Sequence, residues 1–227
     1  VRKTAAVGPA LAPSADASDH DDEGDEWRLQ LQLELRPSRD HAVLVAFVRN
    51  GTDVELTLAL THAARSAVGT PAQKQQLVPG VGVFVRNELV LFQEAPSSSS
   101  SPDGGPSRVP GRAGGLCDGA WHSLGLSASA ASLRLELDGV GLSKDGWASV
   151  GPQAERGRRP AARLLTGAVR TCLGGVPDTV AFTAAPVSAP YLGCVRGLRL
   201  GGRALDLHEA DHLDTGIRSH SCLPPLP

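Results

Sequence analysis

Trp27-Arg28-Leu29-Gln30-Leu31-Gln32-Leu33-Glu34-Leu35 carries leucine at every second position from 29 to 35, with a polar residue between each pair. In an extended chain successive side chains point to opposite faces. The stretch therefore reads as a β-strand with one dry face and one wet face, and the fold follows from how often that pattern returns. It returns at Val54, Leu56, Leu58 and Leu60. It returns again at Leu133, Leu135 and Leu137, which alternate with Arg134 and Glu136 and then reach the turn pair Asp138-Gly139. Residues 43–47 form a short apolar run, the signature of a strand buried on both sides. Residues 81–84 and 89–92 flank Arg86-Asn87-Glu88 and read as a hairpin; so do 198–200 and Ala204-Leu205 around Gly201-Gly202. Many short strands separated by turn signals predict an all-β domain of antiparallel sheets closed into a sandwich or barrel.

Composition agrees with that class. A chain of 227 residues holds one large all-β domain or two small ones, and 41% apolar residues suffice for a core. Aromatics make up only 4%, so the core must rest on Leu, Val and Ala. The net charge of −2 supplies no basic field for nucleic acid or an anionic membrane. No apolar run approaches the length of a membrane span, so direct membrane insertion is not expected. The chain has no Met at all, which reads as a fragment or a processed product. Its basic start, Val1-Arg2-Lys3, is not a signal peptide, because Pro9 and Pro13 interrupt a short apolar stretch.

The flanks of the strand pattern differ from it. Residues 1–26 combine small residues, prolines and the acidic run Asp19-His20-Asp21-Asp22-Glu23-Gly24-Asp25-Glu26, a composition expected to form a disordered acidic linker. Asp19, Asp21 and Gly24 fall at EF-hand positions. Glu23 and Gln30, however, stand where the motif needs other ligands, so a solvated linker is the expected reading. The domain itself is expected over 27–227. Within it, 96–115 is a Ser/Pro/Gly-rich insert that reads as a mobile loop, and 151–170 is Arg- and Ala-rich with room for a short helix over 161–169.

Catalytic patterns are not apparent. The sequence has no Gly-x-Ser-x-Gly elbow, no phosphate loop and no His-Glu-x-x-His. Seven histidines are scattered: His20, His41, His62, His122, His208, His212 and His220. His208 and His212, at i and i+4, would share one face of a helix and suit a metal, while the plainer reading is a polar turn after the last strand. The four cysteines form no Cys-x-x-Cys pair. A bridge between Cys194 and Cys222 would close a loop worth roughly 3–4 kcal/mol on the chain-entropy model and pin the end of the chain. Cys117 and Cys172 are either a second bridge or two buried thiols. Asn50-Gly51-Thr52 is an N-glycosylation acceptor between two predicted strands. Together with the terminal cysteines it points to the oxidising secretory route and an extracellular protein.

One region carries a family pattern. It contains Thr171-Cys172-Leu173-Gly174-Gly175-Val176-Pro177-Asp178, then residues 185–194 ending in Pro190-Tyr191-Leu192-Gly193-Cys194. Leu205-Asp206-Leu207-His208-Glu209-Ala210 and His220-Ser221-Cys222 follow. In this order they resemble the end of the second laminin G-like domain of the growth arrest-specific protein and vitamin K-dependent protein S family. Upstream, Gln73-Lys74-Gln75-Gln76-Leu77-Val78 and Leu116-Cys117-Asp118-Gly119 before Trp121 are collinear with it, and Cys-Asp-Gly leans toward the growth arrest-specific member. The likeness spans about residues 27–224.

The resemblance implies a laminin G-like jelly-roll β-sandwich, a Cys194–Cys222 disulfide and no enzymatic activity. It implies a parent protein with a Gla domain, EGF-like modules and a first laminin G-like domain upstream, acting on Tyro3/Axl/Mer receptor tyrosine kinases. A protein S-type anticoagulant cofactor domain is the alternative within the family. A steroid carrier resembling sex hormone-binding globulin is the alternative within the fold. The family pattern also implies calcium shared at the junction with the upstream laminin G-like domain. The acid that would serve as ligand there is His208 in this chain, a poor calcium donor. Asp206 and Glu209 remain as candidate metal oxygens, and weak calcium binding at most is expected. Two aromatics of the family pattern are also replaced, by His212 and Pro190.

Overall fold

The computed structural model describes residues 5–7, 28–65, 76–96, 115–129, 131–147, 169–180, 186–207, 210 and 212–213. Their strands are β1 (Ala5–Val7), β2 (Arg28–Pro37), β3 (Ala42–Arg49), β4 (Asp53–Arg65), β5 (Gln76–Val85), β6 (Glu88–Glu94) and β7 (His122–Ser129). After these come β8 (Ser132–Leu137), β9 (Val140–Asp145), β10 (Val169–Leu173), β11 (Gly193–Leu200), β12 (Arg203–Ala204) and β13 (His212–Leu213). Two antiparallel sheets result. One is ordered β13-β1-β10-β3-β4-β5-β6 and the other β12-β11-β2-β7-β8-β9.

The leucine alternation explains the core directly. Leu29, Leu31, Leu33 and Leu35 of β2 pair in register with Ala128, Leu126, Leu124 and His122 of β7, and Leu133, Leu135 and Leu137 of β8 continue the same face. The leucines of this face are buried to within 3% of full exclusion and pack against Val45, Phe47, Leu56, Leu58, Leu60, Val81 and Val83 of the opposite sheet. Each such side chain contributes roughly 1.5–3 kcal/mol on leaving water. Trp147 follows β9 and is also fully buried, with its indole N–H donating to the Ser129 carbonyl at 2.9 Å. Lys144 Nζ on β9 donates to the Val90 carbonyl on β6 at 3.2 Å and so ties the two sheet edges.

Strand β3 is buried on both faces, as its uninterrupted apolar run requires. Its second face belongs to a smaller cluster in which Val43, Ala46 and Val48 meet Cys172, Val176, Val180 and Val187, so the segment after β10 covers the outside of the seven-stranded sheet. The tight turns also follow from local chemistry. Asn50-Gly51, Arg86-Asn87, Asp138-Gly139 and Gly201-Gly202 all have positive φ at both residues, the two-residue turn whose twist matches paired strands. In three of the four pairs each residue belongs to the Gly, Asn and Asp group that tolerates this region best. Arg86 at φ 46° does not, and its backbone N–H and Nε are both held by Glu55, at 3.1 and 3.0 Å.

Two expectations change. Within 1–26, Ala5–Val7 is a strand paired with Thr171–Leu173 of β10 and with β13, so the linker reading does not hold for those three residues. Backbone ladder pairing with β10 gives this segment strand structure although its composition argues against a core of its own, and β13 in turn pairs with it at the sheet edge. Val169, expected to end a short helix, opens β10, where pairing with Arg49 of β3 overrides helical propensity. The remainder of the 161–169 helix, most of the 96–115 insert and Trp27 lie outside the described residues.

Candidate functional site

The most specific sequence motif is built at the start of β11. Gly193 and Cys194 lie opposite Pro37 and Arg36 of β2. The Tyr191 hydroxyl donates to the Cys194 carbonyl at 2.9 Å, and burial pushes this phenol well above its ordinary range. Gly193 is required by space. A Cβ there would lie 2.5 Å from the Arg36 carbonyl oxygen and 2.6 Å from Tyr191 Oη. Tyr191, Gly193 and Cys194 of the motif are therefore one packing unit. Cys194 is disulfide-bonded, and Arg36 Nη2 approaches its sulfur at 3.7 Å.

The outer face beside it is cationic and aromatic. The guanidinium carbons of Arg196 and Arg36 stand 4.1 and 5.4 Å from the Trp121 ring centroid, cation–π geometry worth roughly 0.5–1 kcal/mol per contact near water. Arg196 also pairs with Glu34, its cross-strand neighbour on β2. Farther along this face, polar Arg28, Gln30, Ser127, Ser129 and Ser132 together with apolar Leu29, Ala128 and Ala131 line an open depression of about 340 Å³.

Residues 115–121 lead into β7 below this cluster. Leu116 is buried, and Cys117 is a half-buried free thiol raised by its burial and by the carboxylates of Asp40 and Asp118. His122 is buried with both ring nitrogens engaged: Nδ1 lies 2.7 Å from Asp138 Oδ2 and Nε2 lies 3.1 Å from Asp118 Oδ1. It links the loop before β7 to the β8–β9 turn. Among seven scattered histidines nothing singled this one out. The only signal was Asp118 four residues earlier, and Asp138 comes close only through the pairing of β7 with β8.

The other sequence candidates scatter. Asn50 is exposed at a hairpin tip; Thr52 N–H closes that turn on the Arg49 carbonyl at 3.2 Å, and the Thr179 hydroxyl donates to the Gly51 carbonyl. Cys172 is a fully buried free thiol pushed up to about 11 by burial, so Cys117 and Cys172 are two thiols and not a bridge. Asp206 is exposed, whereas Cys222, His208 and Glu209 lie outside the described residues. His212 belongs to β13, paired with Ala6, and so is neither on a helix face nor in a turn. Among the described residues no three His, Cys, Asp or Glu side chains are grouped to hold a metal ion. Nor is any described helix long and apolar enough to cross a membrane.

Comparison with known proteins gives this arrangement a family. Growth arrest-specific protein 6 of Mus musculus is 29% identical over 199 residues, covering 87% of this chain and 25% of that protein. Vitamin K-dependent protein S of Oryctolagus cuniculus is 29% identical over 198 residues, with the same two shares. The chain thus spans about a quarter of the length of these relatives. Among solved structures, domains LG4-5 of the mouse laminin alpha1 chain align with a TM-score of 0.45 at 20% identity, covering 94% of this chain and 44% of that one. The family model described as Laminin G domain matches residues 89–203, half of the chain, from β6 to the first residue of β12. With its two antiparallel sheets of the jelly-roll class and this match, the chain belongs to the laminin G domain family and is a non-catalytic binding module.

Proposed function

We propose that this chain is the C-terminal laminin G-like domain of a secreted growth arrest-specific-type ligand, and that it supports an upstream laminin G-like domain in presenting the parent protein to Tyro3/Axl/Mer receptor tyrosine kinases. The observation that carries this reading is the collinear likeness to Growth arrest-specific protein 6 over nearly the whole chain. The packed Tyr191, Gly193 and Cys194 unit of the family motif supports it. Cys222, the one cysteine besides the two free thiols and Cys194, is the proposed partner of Cys194. Asn50, exposed at a hairpin tip, is the proposed glycan acceptor. For calcium, Asp206 and Glu209 are the proposed oxygen donors, and weak binding at the domain junction is expected because His208 replaces an acid.

The test is receptor phosphorylation. The full-length parent protein and the isolated chain are each added to cells displaying Tyro3, Axl or Mer. Phosphorylation by the full-length protein and none by the isolated chain is expected. Silence of all three receptors toward the full-length protein overturns the reading.

A further inference from the structure

We propose that β9 is a self-pairing edge strand, through which two copies of this chain join their six-stranded sheets across a two-fold axis. An open sheet edge templates a further strand unless it is very short, bulged, charged or interrupted by proline. The strands β12 and β13, at one end of each sheet, have two residues each. At the other end of the seven-stranded sheet, β6 carries Glu88 and Glu94 at its termini, a register shift against β5, and a Val90 carbonyl occupied by Lys144. The edge at β9 is less guarded. It holds no proline, it pairs with β8 without a bulge, and its one lysine turns inward to Val90. Among the described residues no strand lies on its other side.

The turn before β9 sets which backbone groups face that edge. In an antiparallel pair, alternate residues exchange both hydrogen bonds. The two-residue turn Asp138-Gly139 makes Leu137 and Val140 the first such pair. The N–H groups of Asp138 and Gly146 keep the same alternation, one donating to Ser123 on the β7 side and the other to Ala131. Val140, Leu142 and Lys144 therefore direct their N–H and C=O to β8. Gly141, Ser143 and Asp145 point theirs outward, away from the sheet.

Side chains select the partner and the register. The large apolar side chains left exposed among the described residues are Leu77, Leu89, Val140 and Leu142, and the last three border this flank. Such a patch marks a contact surface. Charge on the outer face identifies the occupant as a second copy. Arg134 of β8 stands opposite Ser143, and its guanidinium lies over Gly141, where an added Cβ would be 3.1 Å from Nη2. Asp145, exposed on the same face, carries the opposite charge at the far end of the strand. Antiparallel pairing centred on Ser143 sets Asp145 of each copy opposite Gly141 of the other, beside Arg134. Gly141, having no side chain, leaves the carboxylate room. The same register bonds the outward N–H and C=O groups of residues 141, 143 and 145 across the seam. On the inner face it lays Leu142 against the apolar stem of the copy's Lys144. Centring on Leu142 instead would put Asp145 opposite Gly139, away from Arg134. The contact is self-complementary, so it closes at a dimer.

Sedimentation equilibrium of the unmodified chain from about 1 to about 100 μM, a range that captures weak specific association, tests the pairing. The weight-average mass is expected to rise toward twice that of the chain. Ser143→Pro removes the N–H at the centre of the seam and no bond to β8, a position where an edge strand tolerates proline. It should leave the chain monomeric with its unfolding midpoint nearly kept. Asp145→Arg sets like charges together and should weaken association by about tenfold or more. Combining it with Arg134→Asp, which exchanges the two charges, should restore association. A chain that stays monomeric at about 100 μM overturns the proposal and leaves the flank to a strand from another protein. Dimers indifferent to Asp145→Arg, or to a folded Ser143→Pro, overturn it as well, since the contact then lies elsewhere. Should Ser143→Pro fail to fold, the charge exchange decides alone, and no recovery in the double variant overturns the register.

Discussion

Replacing Gly193 by Ala should be among the most costly single-methyl additions in the domain. The new Cβ would stand 2.5 Å from the Arg36 carbonyl oxygen and 2.6 Å from Tyr191 Oη, both inside the 3.0 Å limit that real Cβ atoms respect. The first of these neighbours is backbone of β2, in the middle of its sheet, and cannot rotate away. Overpacking of this kind costs about 1–3 kcal/mol, and φ of +150° adds backbone strain for any side chain. We expect a loss of about 3 kcal/mol, which for a domain of this size lowers Tm by about 6–12 °C. Gly125→Ala is the control. Its Cβ would meet only the Glu136 Cβ at 3.7 Å, ordinary contact, so stability should change by less than about 0.5 kcal/mol. Urea unfolding of both variants with Cys194 kept oxidised measures the difference. Adding Tyr191→Phe should recover part of the Gly193→Ala loss but not all of it, because the Arg36 carbonyl remains. Equal midpoints for Gly193→Ala and Gly125→Ala would refute the reasoning, as would full recovery in the double variant.

Three further outcomes are expected. Cys172 is an acid whose folded form is raised from 9.0 to about 11, so the native state holds the proton longer; stability associated with it is intact below about pH 9 and is lost as pH rises toward 11. Cys172→Ala should therefore lose about 2–3 kcal/mol less than the unmodified chain across that interval in pH-dependent urea unfolding. Glu55→Gln, which strips the charge from a carboxylate held between Arg49 and Arg86 at 3.0 Å each, should cost about 2 kcal/mol by denaturant midpoint; partial exposure of both arginines keeps the figure below that of a fully buried pair. For the glycan proposed at Asn50, intact mass of the protein from mammalian secretion should drop by one N-glycan in Asn50→Gln, and an unchanged mass would remove that site.

The positions of the strands, though not their order in the sheets, were largely legible in the residues. Period-two leucines at 29–35 and 133–137 had to lie on sheet faces turned inward, because slipping by one residue would expose every one of them; the same alternation at 54–60 did not reveal that β4 is buried on both faces, with Glu55, Thr57 and Ala59 covered as well. The Asp138-Gly139 and Asn50-Gly51 turns declared themselves through residues that tolerate positive φ. The motif ending in Gly193-Cys194 marked the family before its packing was visible. Less was legible where short-range composition and long-range pairing disagree. Ala5–Val7 and His212 become strands only because β10 and each other provide ladder partners, and such partners leave no periodic trace in three residues.

The candidate site divides in the same way. Sequence by itself placed Asn50 at a turn and marked Tyr191-Leu192-Gly193-Cys194 as part of a family motif, since both depend on nearest neighbours in the chain. Only the tertiary structure decided that Cys117 and Cys172 are separate thiols. It alone shows that Arg36 and Arg196 converge on Trp121, and that His122 sits between Asp118 and Asp138. Those arrangements join residues up to 160 positions apart through sheet register, and register is set by the burial of whole faces rather than by any residue taking part in the contact.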